Sequence, residues 1–318
     1  MTYLTNLPDN KQKPFGGAYS VYDEETVWAR DNLLKEYPSS FWSDEYIKQN
    51  YFETYKDWMG STNNLYKLED FTEACFTQGT TEAFYQFYIR YRNRRLRLFK
   101  GEYFFHQMMS RLYFKDNFAW LDEEDIDEND VVLISCPFSD TGDTHILHDL
   151  ILNQCEKKNV PVMLDLAYIN LTVNHSVDLS LNCIKYVVTS LSKVFPVELH
   201  RIGLRLQREE DKFEDQLYVI NEPGYNYLNV QSMFVGLKLM KLFPADYIYN
   251  KYQEKQKDAC KEYNLSKSPC VYFGLDLDNN YKEYNRGNET NRLCFSRIWD
   301  KRMGKPNPKL QSNEIQFS

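Results

Sequence analysis

Four short apolar runs, separated by segments with a helical pattern, dominate the middle of the sequence. They cover residues 131–135, 160–164, 186–189 and 202–206. Continuous apolar runs of this length are typical of strands that are buried on both faces of a sheet. Strands that alternate with helices favour an α/β domain with a mostly parallel sheet. The sequence therefore predicts an α/β core built on such a sheet.

The segments on either side of this core predict a second, smaller unit. Residues 1–20, rich in Pro, Gly, Asn and Lys, are expected to form an extended arm. Apolar periodicity and breakers predict helices at 22–36, 43–58, 228–242 and 246–263, and strands at 271–275 and 293–295. We therefore expect an N-terminal arm with part of a small domain at 1–45, a large α/β domain at 46–225 and a small α+β domain at 226–318.

Composition narrows the class of protein. The net charge of -8 argues against a general nucleic-acid binder, and we interpret the basic run at 90–100 as the solvated end of a helix. No apolar run approaches the ~20 residues that a membrane helix needs, and no signal peptide is visible. The seven cysteines are widely spaced without a CxxC pair, which excludes a disulfide framework and a zinc site. We expect a cytoplasmic protein with no metal and no membrane partner.

Polar residues follow the ends of two of the apolar runs. Asp165 and Tyr168 come after one run, and Ser190 and Lys193 come after the next, with Arg201 eight residues farther on. In parallel sheets the carboxyl ends of strands meet at one edge and form ligand sites. These groups suit pyridoxal phosphate (PLP), which needs a lysine for an imine, a carboxylate against the pyridine nitrogen and donors for the phosphate. Arginine binds phosphate bidentately, and lysine also serves as a base.

Earlier segments offer further candidate ligands for the same cofactor. Gly79, Thr80 and Thr81 open a predicted helix, whose free backbone N–H groups and dipole favour a phosphate. Tyr103 is a candidate to stack on the cofactor ring. Ser139 lies in the turn that follows the run at 131–135.

The ordered motifs resemble the class I/II aminotransferases of PLP fold type I, the aspartate-aminotransferase type. They are G-T-T-E-A at 79–83, C-P-F-S-D-T-G at 136–142, D-L-A-Y at 165–168, S-L-S-K-V-F at 190–195 and R-I-G at 201–203. The resemblance implies a mostly parallel central sheet sandwiched by helices. It also implies a smaller α+β domain, formed by the N-terminal arm and the C-terminal part. Family members act on amino acid and 2-oxo acid substrates, and a homodimer with shared active sites is implied.

The resemblance assigns a role to each matching residue. It implies that Asp165 binds the pyridine nitrogen, Tyr168 contacts the cofactor's O3′ and Lys193 forms the Schiff base. Ser190 and Arg201 match the family's phosphate ligands.

Three matches outside the central motifs concern substrate and phosphate. Gly17 matches the arm that closes over substrate, and Tyr37 matches a tyrosine that reaches the phosphate of the neighbouring subunit. Arg292 matches the arginine that binds the substrate α-carboxylate, with Arg297 as a rival.

One turn departs from the family pattern, which leaves the reaction open. Ser139 stands where the family usually has an asparagine that binds near O3′, and Asp140 stands where it has a proline. The first hypothesis is an aminotransferase that transfers the amino group of an amino acid to a 2-oxo acid. The second is a PLP-dependent lyase, cyclase or oxidase on the same scaffold. The third is a non-catalytic relative that serves as a binding or scaffold protein.

Overall fold

The helices and strands occupy the described parts of the chain, which are residues 15–37, 44–209, 216–221, 228–288 and 290–299 of a computed structural model. The helices are α1 Glu24–Glu36, α2 Asp44–Gly60, α3 Thr80–Tyr91, α4 Phe104–Tyr113, α5 His148–Lys158, α6 Gln216–Asn221, α7 Val230–Leu242 and α8 Tyr247–Tyr263. The strands are β1 Leu65–Tyr66, β2 Glu73–Gln78, β3 Arg95–Leu98, β4 Phe118–Trp120, β5 Asp130–Ser135, β6 Val162–Asp165, β7 Val177–Asp178, β8 Ile184–Ser190, β9 Ile202–Gln207, β10 Ser266–Lys267, β11 Phe273–Asp276 and β12 Asn291–Cys294.

A seven-stranded sheet forms the centre of the fold, in the order β2-β9-β8-β6-β5-β3-β4. Strands β8, β6, β5, β3 and β4 pair in parallel, whereas β9 runs antiparallel to both of its neighbours, β2 and β8. The predicted mostly parallel sheet is therefore confirmed. Since β5, β6 and β8 are parallel, their carboxyl ends lie at the same edge, and this edge carries the candidate site.

Helices cover both faces of this sheet. Along β5, Val132 and Ile134 pack into a cluster that contains side chains of α2, α5 and α7. The alternating residues Val131 and Leu133 pack into a second cluster with side chains of α3 and α4. Every residue of β5 is buried, as expected for a strand with a hydrophobic layer on each side. The sandwich of helices around the sheet is also confirmed.

A second unit contains the antiparallel sheet β10-β11-β12 and helix α8. Phe15, from the N-terminal segment, is fully buried in a cluster with Leu293 and Phe295 of this unit. The carbonyl oxygen of Phe15 also accepts a hydrogen bond from the backbone N–H of Cys294 at 2.8 Å. The N-terminal and C-terminal segments thus meet. The domain boundaries at 45 and 225 stay a prediction.

The interpretation of the basic run at 90–100 as the solvated end of a helix holds for its first part, because Arg92 is exposed at the end of α3, and is wrong for its second half. Helix α3 ends at Tyr91, and the second half of the run forms β3 inside the sheet. Arg97 is completely buried, with its guanidinium 2.5 Å from the carboxylate of Asp130. A buried acid and several backbone carbonyls replace the water that this arginine would otherwise need.

Three further outcomes concern segments outside the sheet. The predicted helix break at 37–40 lies mostly outside the described residues, as does the arm before residue 15. The sequence pattern predicts a helix at 144–157, and helix α5 begins later, at His148. Among the described helices, none combines the length and the apolar character needed to cross a membrane.

Candidate active site

The candidate site lies where three parallel strands end. Asp165 is the last residue of β6, and Ser139 lies in the turn after β5. Lys193 ends the single helical turn, Leu191–Lys193, that follows β8. The topology therefore brings together residues that are up to 54 positions apart in the sequence.

Two adjoining cavities open at this edge. The inner cavity has a volume of about 90 Å³, and the predicted residues that line it are Thr80, Thr81, Tyr103, Ser139, Asp165, Tyr168, Lys193 and Arg201. The outer cavity, of about 200 Å³, adds Gly17 and Arg292 and shares five residues with the inner one, Tyr103, Tyr168, Ser192, Lys193 and Arg201. A larger cavity of about 450 Å³ lies between α1 and α8, but none of the predicted site residues lines it. Most of the predicted site residues thus line the two smaller cavities.

Asp165 is a buried carboxyl group with an unusual acidity. Burial, and after it the charge of the nearby Glu102 carboxylate, raise its pKa to about 7. The backbone N–H of Ala167, which donates to Asp165 Oδ1 at 3.0 Å, and the charge of Lys193 act in the opposite direction. A positive ligand beside Asp165 would stabilise its ionised form, so a protonated pyridine nitrogen fits this position.

The start of α3 and Arg201 form an anion-binding corner. The Arg201 guanidinium donates to Thr81 Oγ1 at 3.3 Å and to the carbonyl oxygen of Gln78 at 3.2 Å. Gly79 precedes the helix with a φ of 69°, and a Cβ added there would lie 2.4 Å from Arg201 Nη2. Glycine therefore lets the arginine lie against the helix N-terminus, where backbone N–H groups and a guanidinium suit a phosphate.

The structure separates the two serines of the S-L-S-K motif. Ser190 Oγ donates to the carbonyl oxygen of Ile202 at 2.9 Å, and Ser190 is not among the residues that line either cavity. Ser192 lines both cavities, and its hydroxyl lies 2.8 Å from Ser190 Oγ. Ser192 is thus placed next to the cavity, while Ser190 supports it from behind. The phosphate role of Ser190 stays a prediction.

Lys193 lies at the junction of the two cavities. Its Nζ donates to the carbonyl oxygen of Ala18 at 2.6 Å and lies 5.7 Å from the centre of the Tyr168 ring. The backbone carbonyl of Lys193 accepts from the hydroxyl of the buried Tyr272 at 2.9 Å. The lysine therefore has a fixed backbone and an amino group that faces Tyr168 and the N-terminal segment.

The structure distinguishes between the two candidate carboxylate ligands. Arg292, on β12, lines the outer cavity and is almost fully buried, and its guanidinium donates to the carbonyl oxygens of Ser139 at 2.5 Å and Gly16 at 3.2 Å. Arg297 stacks its guanidinium over the Tyr19 ring at 4.4 Å and is not among the cavity-lining residues. This geometry favours Arg292.

Tyr37 lies apart from the other predicted residues. It follows α1 and packs edge-to-face against Phe234, with the ring centres 5.5 Å apart. It lines neither cavity in this single chain. A role at the phosphate of a neighbouring subunit therefore stays a prediction.

Two charged residues near the site were missed by the sequence analysis. Arg286 lines the outer cavity. Glu102 is buried and accepts from the backbone N–H of Ser135 at 2.9 Å and from its hydroxyl at 2.5 Å. Ser135 is the register partner of Asp165. The only sequence signal for Glu102 was its position directly before Tyr103, and Arg286 had none.

Comparisons with known proteins agree with this fold. A family model described as "Aminotransferase class I and II" matches residues 114–235. No curated protein sequence matches the chain.

Solved structures resemble most of the chain at low sequence identity. A PLP-bound C–S lyase from Staphylococcus hominis has a TM-score of 0.64 at 11% identity, over 93% of this chain and 87% of that one. Tyrosine aminotransferase from Leishmania infantum has a TM-score of 0.61 at 13% identity, over 92% and 91%. Histidinol-phosphate aminotransferase from Clostridium acetobutylicum has 0.60 at 13%, over 88% and 93%. The chain therefore has the fold of the fold-type-I PLP enzymes, and the family match implies PLP as its cofactor.

Proposed function

We propose that this chain, which has PLP fold type I and resembles the class I/II aminotransferases, transfers the amino group of an amino acid to a 2-oxo acid. The observation that carries the proposal is the position of Lys193 at the junction of two cavities. Asp165 lines the inner cavity and Arg292 lines the outer one. A cofactor and a substrate would thus meet at the amino group of Lys193. When bound, PLP supplies an electron sink for charge that develops at the substrate α-carbon.

The residues of the inner cavity suit the parts of PLP. Thr81, Arg201 and the start of α3 are the proposed phosphate ligands, with Ser192 beside them. Asp165 is the proposed partner of the ring nitrogen. Tyr103 is proposed to stack on the ring.

The residues of the outer cavity suit an amino acid. Lys193 is the proposed attachment point for the cofactor, and its Nζ is the proposed base that moves a proton at the α-carbon. Arg292 is the proposed ligand of the α-carboxylate, because its planar guanidinium matches that group. The segment 16–19, which lines the cavity and contacts both residues, is proposed to limit access of water.

The first test is the absorbance spectrum of the purified protein after addition of PLP. We expect a band of lysine-attached PLP that is lost in Lys193→Ala and kept in Lys157→Ala, an exposed lysine of α5. Incubation with a panel of amino acids and 2-oxoglutarate should then yield glutamate. A wild-type protein without the band would instead support a non-catalytic relative.

The second candidate is a PLP-dependent lyase, with cyclase and oxidase reactions in the same class. The observation that favours it is the Ser139-Asp140 turn, which adds a buried acid next to the outer cavity. A C–S lyase is also among the similar structures. Release of ammonia, a thiol or peroxide without glutamate formation would support this candidate and contradict amino transfer.

We also propose that the protein is a cytoplasmic homodimer. The resemblance to the class I/II aminotransferases supports the dimer, and Ile146 and Leu199, which are 94% and 87% exposed, are candidate interface residues. Tyr37 would then serve the neighbouring subunit. Light scattering during gel filtration should give twice the mass of 38.0 kDa, and Leu199→Asp should shift the protein towards the monomer if this residue is in the interface.

A further inference from the structure

Three arginines, Arg201, Arg286 and Arg292, line the outer cavity, and Arg286 lies beside Arg292. It lies six residues before Arg292 in sequence, and only 10% of its side chain is exposed. Its Nη1 donates to the carbonyl oxygen of Ser139 at 3.2 Å, and Arg292 Nη1 donates to the same oxygen at 2.5 Å. The two nitrogens therefore cannot be farther apart than the sum of these distances. A carboxylate has two oxygens and can accept from two arginines at that spacing.

The positive charges of Arg286 and Arg292 lie close together, which favours the binding of an anion between them. Burial, and after it the positive charge of Arg292, lower the pKa of Arg286 to about 10. In the described part of the chain, Asp140 is the acid within ion-pair distance of Arg286, with Oδ1 3.9 Å from Nε. The charge of Glu102 also acts on Arg286, and together with Asp140 it raises the pKa of that guanidinium. The negative charge of a substrate carboxylate would stabilise both guanidinium groups further.

Asp140 lies beside Arg286 and helps to hold its guanidinium in place. Its side chain is fully buried, next to Gly101, where an added Cβ would lie 2.9 Å from Asp140 Oδ2. Glycine at position 101 thus leaves the room that the buried carboxylate occupies beside the arginine. The Asp at this turn, which departs from the family pattern, accompanies an arginine that the sequence did not reveal.

We infer that Arg286 is a second ligand of the substrate α-carboxylate, which it binds together with Arg292, and that Asp140 is the positioning residue for Arg286. The inference rests on the proposed function, because it takes the outer cavity as the amino acid site. Arg286 would have a different role if it bound a second acidic group at the far end of the substrate. The experiment distinguishes this role from binding of the α-carboxylate.

The experiment measures equilibrium binding of two unreactive acids to the PLP-loaded protein, through the change in cofactor absorbance. Butanoate has one carboxylate, and succinate has two on a chain of the same length. Arg286→Gln should weaken the binding of both acids by about 10- to 100-fold, which corresponds to the loss of one charge-assisted hydrogen bond. Arg286→Lys, which keeps the charge but not the planar fork, should lose less. Arg92→Gln, on the exposed end of α3, is the matched control and should bind as wild type.

The possible results have distinct meanings. Unchanged butanoate binding in Arg286→Gln would overturn the inference, and a loss confined to succinate would replace it with a distal acid site. Retention of the Lys193-dependent absorbance band in every variant shows that the cofactor site is intact, so failure of the inference is separate from failure of the proposed function. If Arg286→Gln does not fold, Arg286→Lys carries the comparison.

A double-mutant cycle tests the role of Asp140. Asp140→Asn should weaken butanoate binding in the wild-type background, because Arg286 loses its ionic partner. In the Arg286→Gln background the same change should have little further effect, since a residue that acts through another gives non-additive losses. Equal losses in both backgrounds would show that Asp140 acts independently and would overturn its positioning role.

Discussion

The amino group of Lys193 lies 2.6 Å from the carbonyl oxygen of Ala18. This hydrogen bond ties the segment 16–19 to the residue that would attach the cofactor. Attachment would leave Lys193 with at most one N–H in place of three, and the contact with Ala18 would weaken. Arg292 would still hold Gly16 through its own hydrogen bond. The position of the N-terminal segment is therefore expected to depend on the state of Lys193.

Hydrogen exchange gives the first prediction. Addition of PLP should increase amide exchange in the segment 16–22 of the wild-type protein, because the Ala18 contact is lost. In Lys193→Ala the contact is already absent, so exchange in this segment should be high before PLP is added and change little afterwards. An unchanged rate in the wild type, with the Lys193-dependent absorbance band present, would contradict the coupling.

The raised pKa of Asp165 predicts a pH-dependent stability of the cofactor-free protein. Its folded pKa of about 7 lies above the ordinary value of about 3.9, so the folded state disfavours the ionised form. Asp165 therefore lowers the free energy of unfolding as pH rises from about 4 to about 7, with no further effect above that. Asp165→Asn should gain stability over the same window, by up to about 4 kcal/mol.

Urea unfolding of the two cofactor-free proteins at pH 4.5, 6 and 8 checks this prediction. The difference between them should grow with pH and then level off. Asp125→Asn, at an exposed position, should keep a constant difference from wild type. A difference for Asp165→Asn that is independent of pH would show that Asp165 is ionised throughout.

Gly79→Ala should damage the anion-binding corner. The new Cβ would lie 2.4 Å from Arg201 Nη2, and the φ of 69° is unfavourable for alanine. We expect a loss of stability of about 1 kcal/mol or more and a PLP dissociation constant raised at least about tenfold, because the arginine must move away. Gly60→Ala is the control, since its Cβ would approach only the end of the Leu68 side chain, at 3.2 Å. Fluorescence titration measures the PLP dissociation constants of the two variants, and urea unfolding measures their stabilities.

Much of the inner cavity was predictable from sequence because its residues follow strands. Asp165 and Lys193 come directly after apolar runs, and parallel strands bring such positions to one edge. The sequence did not distinguish Ser190 from Ser192, because the face that each hydroxyl takes depends on the turn after β8. Nor did it indicate that β9 runs antiparallel, since an apolar run carries no information on direction.

The rest of the site depends on contacts that a linear pattern does not show. Arg286 lies in a polar segment without periodicity, and its contact with Ser139 spans 147 positions. Strand β3 was missed for a related reason. Arg95 and Arg97 interrupt its apolar pattern. The burial of Arg97 depends on Asp130, 33 positions farther along the chain, and on several backbone carbonyls.

That contact gives the last prediction, which concerns stability alone. Asp130 and Arg97 are both fully buried, and Asp130 also binds Arg95 at 2.6 Å. Asp130→Asn should cost about 3–5 kcal/mol in the free energy of unfolding, because it leaves the Arg97 charge buried without a counterion. The double variant Arg97→Met/Asp130→Leu should cost less than Asp130→Asn, since no unpaired charge remains at Arg97. Glu254→Gln, in the exposed pair with Lys257, should change stability by less than about 1 kcal/mol. Urea unfolding of the four proteins measures these differences, and a cost for Asp130→Asn as small as that of Glu254→Gln would show that the buried pair contributes little.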